Sequence, residues 1–374
     1  MTYRRGAWVE VDLGALARNI RALKALIPSD TRFMAIVKAD GYGHGAREVA
    51  QAALGAGADR LGVATLEEAI ALRDAGVTAP LHILAEVPVE GARLVLEQDI
   101  IPTVASWESA IALSRAAMLA QKEVVCHLKI DTGMNRIGVR AEDAAGLASR
   151  IVDLPGVVLE GAFTHFATAD TPGDWEFDRQ VTRFSAALES MRTEGVRPSL
   201  VHAANSAATV LHPETHFGMV RCGIAMYGLH PSRATVGSVA LEPVMSVRAR
   251  VSFVKRIGLG DGVSYGFTWH AGGPATIATL PLGYADGVHR VLSNQMSVLI
   301  GGRRCPQVGR VCMDQVMVEV PNGLDVRVGD EAVIVGGQGR ETITMDEVAD
   351  LAGTINYEMA CGFALRLGRE YRPA

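Results

Sequence analysis

The sequence predicts a (β/α)8 barrel followed by a mainly antiparallel β domain, and three observations carry that reading. Between about residue 30 and residue 225, eight short apolar runs bounded by turns alternate with helix-like stretches. After about residue 240 the pattern changes to strict alternation of apolar and polar residues between close-set turns. Five of the eight runs also end in amines, guanidinium groups, imidazoles or small polar residues, at the strand ends where barrel enzymes keep their reactive groups. The expected units are residues 1–240 and 241–374.

The barrel runs are Phe33–Val37, Leu61–Ala64, Leu81–Ala85, Ile100–Val104, Val124–Ile130, Val157–Phe163, Leu200–Ala204 and Phe217–Arg221. Runs that are apolar on consecutive residues fit strands covered on both faces, as in a parallel sheet. Eight strand–helix units favour a closed barrel over an open, doubly wound sheet. Thr65 and Glu68 form a capping box ahead of Leu66, Ala69, Ile70 and Leu72, and Gly76 ends that helix. Ser106 opens the next clear helix, and Gly195 closes a long one that begins near Glu176. In the second half, Ser246–Phe253 alternates, with Val247, Ala249, Val251 and Phe253 expected on one face. Further strands are expected at Thr276–Leu280, Met296–Ile300, Gln315–Val320 and Ala332–Val335, with turn chemistry at Gly301–Gly302 and Pro321–Asn322–Gly323. One helix interrupts them, opened by Thr344 and Glu347 and ended at Gly353.

Composition narrows the function classes. The 374 residues are 49% hydrophobic and 21% charged, which suits a folded chain with a sizeable core and not a disordered one. With 36 basic and 41 acidic residues the net charge is −5, so the basic bias of a nucleic-acid binder is missing. No apolar run reaches the ~18 residues of a membrane span. After Arg4 and Arg5 the stretch Ala7–Val11 alternates and lacks the apolar segment of a signal peptide, so the expected location is the cytoplasm. Cys126, Cys222, Cys305, Cys312 and Cys361 form an odd set without C-x-x-C spacing; neither a disulfide framework nor a metal site is expected.

The loaded strand ends are Lys38–Gly45, Lys129–Arg136, Thr164–Phe166, His202–Ser206 and Arg221–Ile224. Taken singly, several have plain explanations. Lys38 reads as a surface lysine, His165 as a satisfied structural histidine, and Asn205–Ser206 as a helix cap. Arg136 and Arg221 are harder to dismiss, because arginine at a barrel rim needs an anionic or acceptor partner. Together with the backbone N–H groups of Gly223 and Ile224, Asn205–Ser206 also forms a phosphate cup in the loops after strands seven and eight, where barrels commonly bind phosphate. A lysine, such a cup and anion-binding arginines jointly suit an imine-forming cofactor that carries a phosphate.

The segment Ala35–Ile36–Val37–Lys38–Ala39–Asp40–Gly41–Tyr42–Gly43–His44–Gly45 resembles the pyridoxal-phosphate attachment signature of the bacterial alanine racemase family. The resemblance continues through Lys129–Gly138, Thr164–Asp170, Arg221–Gly228, Val263–Gly266, Leu282–Gly287 and Val311–Asp314, in family order over almost the whole chain.

That resemblance implies interconversion of L- and D-alanine with pyridoxal 5'-phosphate, supplying D-alanine for peptidoglycan, by a homodimer with shared sites. Lys38 would hold the cofactor and act as base on one face of the substrate, with Tyr265 of a second subunit on the other. Arg221 would meet the pyridine nitrogen, and His165 would hydrogen-bond Arg221 near Tyr265. Tyr42, Ser206, Gly223, Ile224 and Tyr357 would bind the phosphate, with Asn205 beside them. Arg136 and the Met313 N–H would take the substrate carboxylate. Lys129 matches a lysine often carbamylated to an anion that orients Arg136, while Tyr284, Asp170, Arg290 and Arg310 would line the site and its approach. Free lysine and tyrosine have pKa values near 10.4 and 10, so each base needs a shift of about three units, or roughly 4 kcal/mol. Neighbouring cations favour both neutral lysine and ionised tyrosine. A serine or broad-specificity racemase on the same scaffold is the alternative, because one methylene or hydroxyl changes binding by only a few kcal/mol.

Overall fold

The structure is a computed structural model that describes residues 6–373; Arg4 and Arg5 lie outside them. The described chain falls into two compact units, one built from Leu16–Gly41 and Ala46–Glu242, the other from residues 6–15, Tyr42–Gly45 and 243–373.

In the first unit eight parallel strands form a closed ring. They are Arg32–Ile36, Arg60–Val63, Leu81–Glu86, Ile101–Val104, Val124–Asp131, Val157–Phe163, Leu200–His202 and Met219–Cys222, and the last pairs with the first, Val220 opposite Phe33. Val139–Arg140 adds a short parallel extension beside the end of the fifth barrel strand. The core is aliphatic and aromatic, with Phe33, Met34, Leu61, Leu81, Ile83 and Leu128 fully buried. The helix Leu66–Asp74 starts at the Thr65–Glu68 capping box, and Trp107–Ala120 starts at Ser106, whose Oγ accepts from the Ser109 N–H at 3.3 Å. The long helix Trp175–Thr193 is capped by Asp174, one turn residue earlier than the apolar pattern shows.

The second unit holds two sheets. One has the strand order Arg303–Pro306, Ser297–Ile300, Glu331–Gln338, Met245–Arg250, Ala7–Asp12 and Gly368–Arg372, with Glu341–Ile343 paired to Glu331–Gln338. All its pairings are antiparallel except that of Ala7–Asp12 with Gly368–Arg372. The other is antiparallel, with Phe253–Ile257, Ala275–Leu280 and Val316–Val320.

Three expectations change here. A division at residue 240 assigns the first strand to the barrel, whereas Ala7–Asp12 pairs on both sides with strands from the far end of the chain. The alternating run Ser246–Phe253 is two strands, because the chain changes sheets at its end: the Val251 N–H bonds the Asp330 carbonyl and the Ser252 N–H bonds the Thr279 carbonyl. Phe253 is accordingly 56% exposed and does not continue the buried face of Val247 and Ala249. Finally, Met345–Ala352 is followed by a second helix, Asn356–Gly362. No helix among the described residues is long and apolar enough to cross a membrane.

Candidate active site

Lys38 follows the first barrel strand and opens an unusual turn. Ala39, Asp40 and Gly41 take left-handed backbone angles, with φ of 52°, 51° and 61°, and Tyr42 follows at 53°. The Gly41 N–H closes the turn on the Val37 carbonyl at 2.9 Å. A left-handed residue with a side chain costs about 1–2 kcal/mol, so the turn needs outside support. Glu68 supplies it. Its Oε1 accepts the Ala39 N–H at 2.6 Å, while its Oε2 accepts the Ala64 N–H at 2.8 Å and the Thr65 N–H at 3.3 Å. Asp40 Oδ1 braces the far side by accepting the Ala46 N–H at 2.8 Å. The capping-box glutamate of one helix thus also clamps the loop that carries the lysine. Sequence reasoning found the box and missed the clamp, which depends on two neighbouring strands ending side by side.

Around Lys38 the barrel rim gathers cations. Lys129 is buried, donates to the Leu84 carbonyl at 3.3 Å and stands over the Phe163 ring at 5.3 Å. Burial first, then Arg221, Arg136 and Lys38, lower its pKa to about 8. His165 is pushed well below its ordinary value by burial and by Arg221, Arg136, Lys129 and Lys38, so it is neutral. Arg136 sits exposed in a loop shaped by Asp131, whose Oδ1 accepts the Gly133 and Asn135 N–H groups at 3.0 and 3.1 Å.

Arg221 is fully enclosed. Its guanidinium donates to the Thr164 carbonyl at 2.8 Å, the Ala203 carbonyl at 3.0 Å, His202 Nδ1 at 3.0 Å and His165 Nδ1 at 3.3 Å. Burial lowers its pKa to about 9, leaving it a cation at neutral pH, and among the described residues its partners are carbonyls and imidazoles, not carboxylates. Arginine only donates, so His165 must accept at Nδ1 and, being neutral, carry its proton on Nε2.

At the ends of the last two barrel strands, Ser206 Oγ accepts the Gly223 N–H at 2.9 Å and the Ala225 N–H at 3.4 Å. Asn205 caps Ser206–Leu211 by accepting the Ala208 N–H at 3.0 Å, and its Nδ2 donates to the Phe166 carbonyl at 3.3 Å. Asn205 therefore positions Ser206 and spends its own amide inside the fold.

The second unit carries the remaining expected residues. Tyr42 is buried with its ring centre 6.3 Å from that of Tyr357, and burial raises its phenol pKa, keeping a neutral hydroxyl. Tyr265 is 72% exposed and Met313 53%. The loop of Tyr265 is fixed by Ser264, whose hydroxyl donates to the Arg310 carbonyl at 2.6 Å. The backbone at Met313 is held by the Ala285 N–H, which donates to the Met313 carbonyl at 3.1 Å, and Gly283 approaches so closely that a Cβ there would lie 2.1 Å from the Cys312 carbonyl oxygen.

Behind the rim, a polar chain runs through the barrel interior. His202 Nε2 and His127 Nδ1 are 2.8 Å apart, and His127 Nε2 lies 2.8 Å from Glu160 Oε2. Arg60 forks onto Glu160 at 2.7 and 2.8 Å and reaches His82 Nε2 at 3.0 Å. His82, His127 and Glu160 have the spacing of a metal cluster, yet the Arg60 guanidinium touches both Glu160 and His82 and supplies the positive charge there. His82, His127, Arg60 and Glu160 had no role in the sequence reading. The available signal was an imidazole inside each of two otherwise apolar barrel runs.

Comparisons with known proteins agree with this architecture. The family description "Alanine racemase, N-terminal domain" matches residues 11–231, and "Alanine racemase, C-terminal domain" matches residues 244–371. A protein of Symbiobacterium thermophilum named alanine racemase is 48% identical over 367 residues, covering 98% of this chain and 97% of its own length. One of Desulfovibrio desulfuricans with the same name is 45% identical, with 99% of each chain covered. Among solved structures, alanine racemase from Bacillus anthracis with bound L-Ala-P superposes with a TM-score of 0.94 at 40% identity, over 100% of this chain and 96% of that one. Both halves of the chain, in order and nearly complete, thus match one family: the chain belongs to the alanine racemases, which are isomerases.

Proposed function

We propose that the chain interconverts L- and D-alanine using pyridoxal 5'-phosphate, as a homodimer in which each site is completed by Tyr265 and Met313 of a second copy. The observation that carries the reading is the cation-rich rim: Lys38 on a braced turn, with Lys129, Arg136 and a buried Arg221 that has no carboxylate partner among the described residues. Such a donor set is short of negative charge and fits a cofactor with a phosphate together with a substrate carboxylate. In this proposal Tyr42, Ser206, Gly223, Ile224 and Tyr357 hold the phosphate, and Asn205 aims Ser206.

When bound, the cofactor withdraws electrons from the substrate's α-carbon and so makes its hydrogen removable as a proton. The rest belongs to the chain. Lys38 takes or returns that proton at Nζ, and its cationic neighbours favour the neutral amine that a base must be. Tyr265 of the second copy works at its Oη on the opposite face, where the Nε2–H of His165 is a donor suited to a phenolate. Arg221 offers the ring nitrogen only hydrogen-bond donation, because a guanidinium does not readily give up a proton. That donor would leave the ring nitrogen of a bound cofactor unprotonated and so would restrain side reactions. Arg136 and the Met313 N–H of the second copy orient the carboxylate. The lowered pKa of Lys129 enlarges the fraction of neutral amine on which carbamylation by carbon dioxide draws, and the resulting anion would orient Arg136.

Relatives named alanine racemase favour alanine over serine or a broad substrate range. In the cell the same reading gives a cytoplasmic source of D-alanine for peptidoglycan. The test is to incubate the cofactor-loaded protein with L-alanine and, separately, L-serine and to resolve the products chirally. Racemised alanine with little change in serine is expected; unchanged L-alanine would sink the proposal.

A further inference from the structure

The polar chain inside the barrel has a direction, and the direction follows from its two ends. Arg221 can only donate, so His202 accepts at Nδ1 across 3.0 Å. His202 is neutral, because burial and then Arg221 push it well below its ordinary pKa, so its proton sits on Nε2 and is donated to His127 Nδ1 across 2.8 Å. His127 is depressed too, chiefly by burial, and its proton falls on Nε2, 2.8 Å from Glu160 Oε2. Glu160 is ionised: hydrogen bonds from His127 and Arg60 hold its carboxyl well below the usual range. Every donor between Arg221 and Glu160 therefore points the same way, from cation to anion. Aligned hydrogen bonds of this kind polarise one another in a low-dielectric interior. On the far side Arg60 donates to His82 Nε2, which forces the opposite tautomer on His82.

The ends of the chain lie at different levels of the barrel. Arg221 stands near the carboxyl end of Met219–Cys222, whereas Arg60 begins its own strand, and Glu160 is half-buried and partly reachable by solvent. Among the described residues Arg221 thus has no carboxylate beside it, while its counter-ion stands two imidazoles away. Placed in direct contact, a carboxylate would neutralise the guanidinium and compete for the donors that a ring nitrogen needs.

We infer that Glu160 is a remote positioning residue for the reaction: acting through His127 and His202, it fixes the proton pattern that aims Arg221 and preserves its full charge toward the cofactor ring. This rests on the proposed cofactor reading. A purely structural role, satisfying buried polar groups, would also hold the barrel together, but it would leave the cofactor's electronic state untouched.

The test uses the cofactor-loaded full chain with 15N-labelled histidine. Nitrogen chemical shifts should report neutral Nε2–H tautomers for His127 and His202 and a neutral Nδ1–H tautomer for His82. A reversed tautomer or a charged imidazole at His127 or His202 overturns the inference. In Glu160→Gln, of the same shape without the charge, the absorption maximum of the bound cofactor at fixed pH should move. Its kcat for alanine should fall about tenfold with KM within about twofold. A variant that folds, with spectrum and kcat unchanged, also overturns it. If the variant does not fold, Glu160→Asp, which keeps the charge but shortens its reach, is read by the same spectrum and kcat, and values unchanged from wild type overturn the inference. A wild type that never acquires the cofactor's absorption defeats the functional proposal instead, and that outcome is read in the same sample before any variant is made.

Discussion

Lys129 shows how a single side chain reports on the site. Its pKa is lowered from 10.5 to about 8 by burial and three cations. Between those two values the unfolded chain still holds a proton that the folded chain has lost, so folding stability rises with pH through that window and is flat below it. Lys129→Gln should remove that rise. The check is to compare urea midpoints of wild type and variant near pH 8 and near pH 10 in buffer free of carbon dioxide. A gap between the two proteins that stays constant would show that the lysine is not depressed. Lys38 has a chemical signature of its own. Borohydride reduction should fix the cofactor to the chain in wild type and not in Lys38→Ala, and trapping at another lysine would reassign the attachment. The role of Lys129 came only from the family resemblance, whereas Lys38 was legible in the sequence, as an amine closing an apolar barrel run before a glycine-rich loop. The tautomers of His165 and His202 were not, since they depend on a donor-only neighbour from another strand.

At the scale of elements, the turn after Lys38 is held by an acceptor from the helix that follows the neighbouring barrel strand, Leu66–Asp74. Glu68→Ala would strip partners from the N–H groups of Ala39, Ala64 and Thr65. A loss of about 1–3 kcal/mol is expected, measured by denaturant unfolding, together with slower attachment of the cofactor, followed by absorbance. Full stability with unchanged attachment would show that the left-handed turn holds itself. The eight barrel strands were legible because each is a short apolar run, and the structure puts a strand at every one. The second unit was less so. Arg303–Pro306 and Gly368–Arg372 are dominated by charged and exposed residues, and no apolar pattern marks them. The run from Ser246 to Phe253 keeps its two-residue period across a change of sheet, and periodicity alone does not register that change.

At the scale of the whole molecule, the exposure of Tyr265 and Met313 is what residues destined for another chain's site require. Neither Lys38→Ala nor Tyr265→Ala alone should retain useful racemase activity. Mixed and allowed to exchange subunits, they should recover roughly a quarter of wild-type activity, since half the dimers would be mixed and each would have one intact site. Mixing without recovery, after exchange has been demonstrated by mass, would count against shared sites. The proposal that these residues serve a second copy came from the family resemblance, and the sequence offers no measure of which side chains the folded chain leaves on its surface.

The strand Ala7–Asp12 lies between Met245–Arg250 and Gly368–Arg372, so one sheet is laced from stretches that are far apart in the sequence. During synthesis this strand emerges long before either neighbour, and its second edge stays unpaired until Gly368–Arg372 has been made. A fragment begun at residue 241 would lack the middle rung and present two bare edges that invite aggregation. Expression of the carboxy-terminal portion by itself should therefore give insoluble material, rescued by grafting the opening dozen residues onto it through a linker.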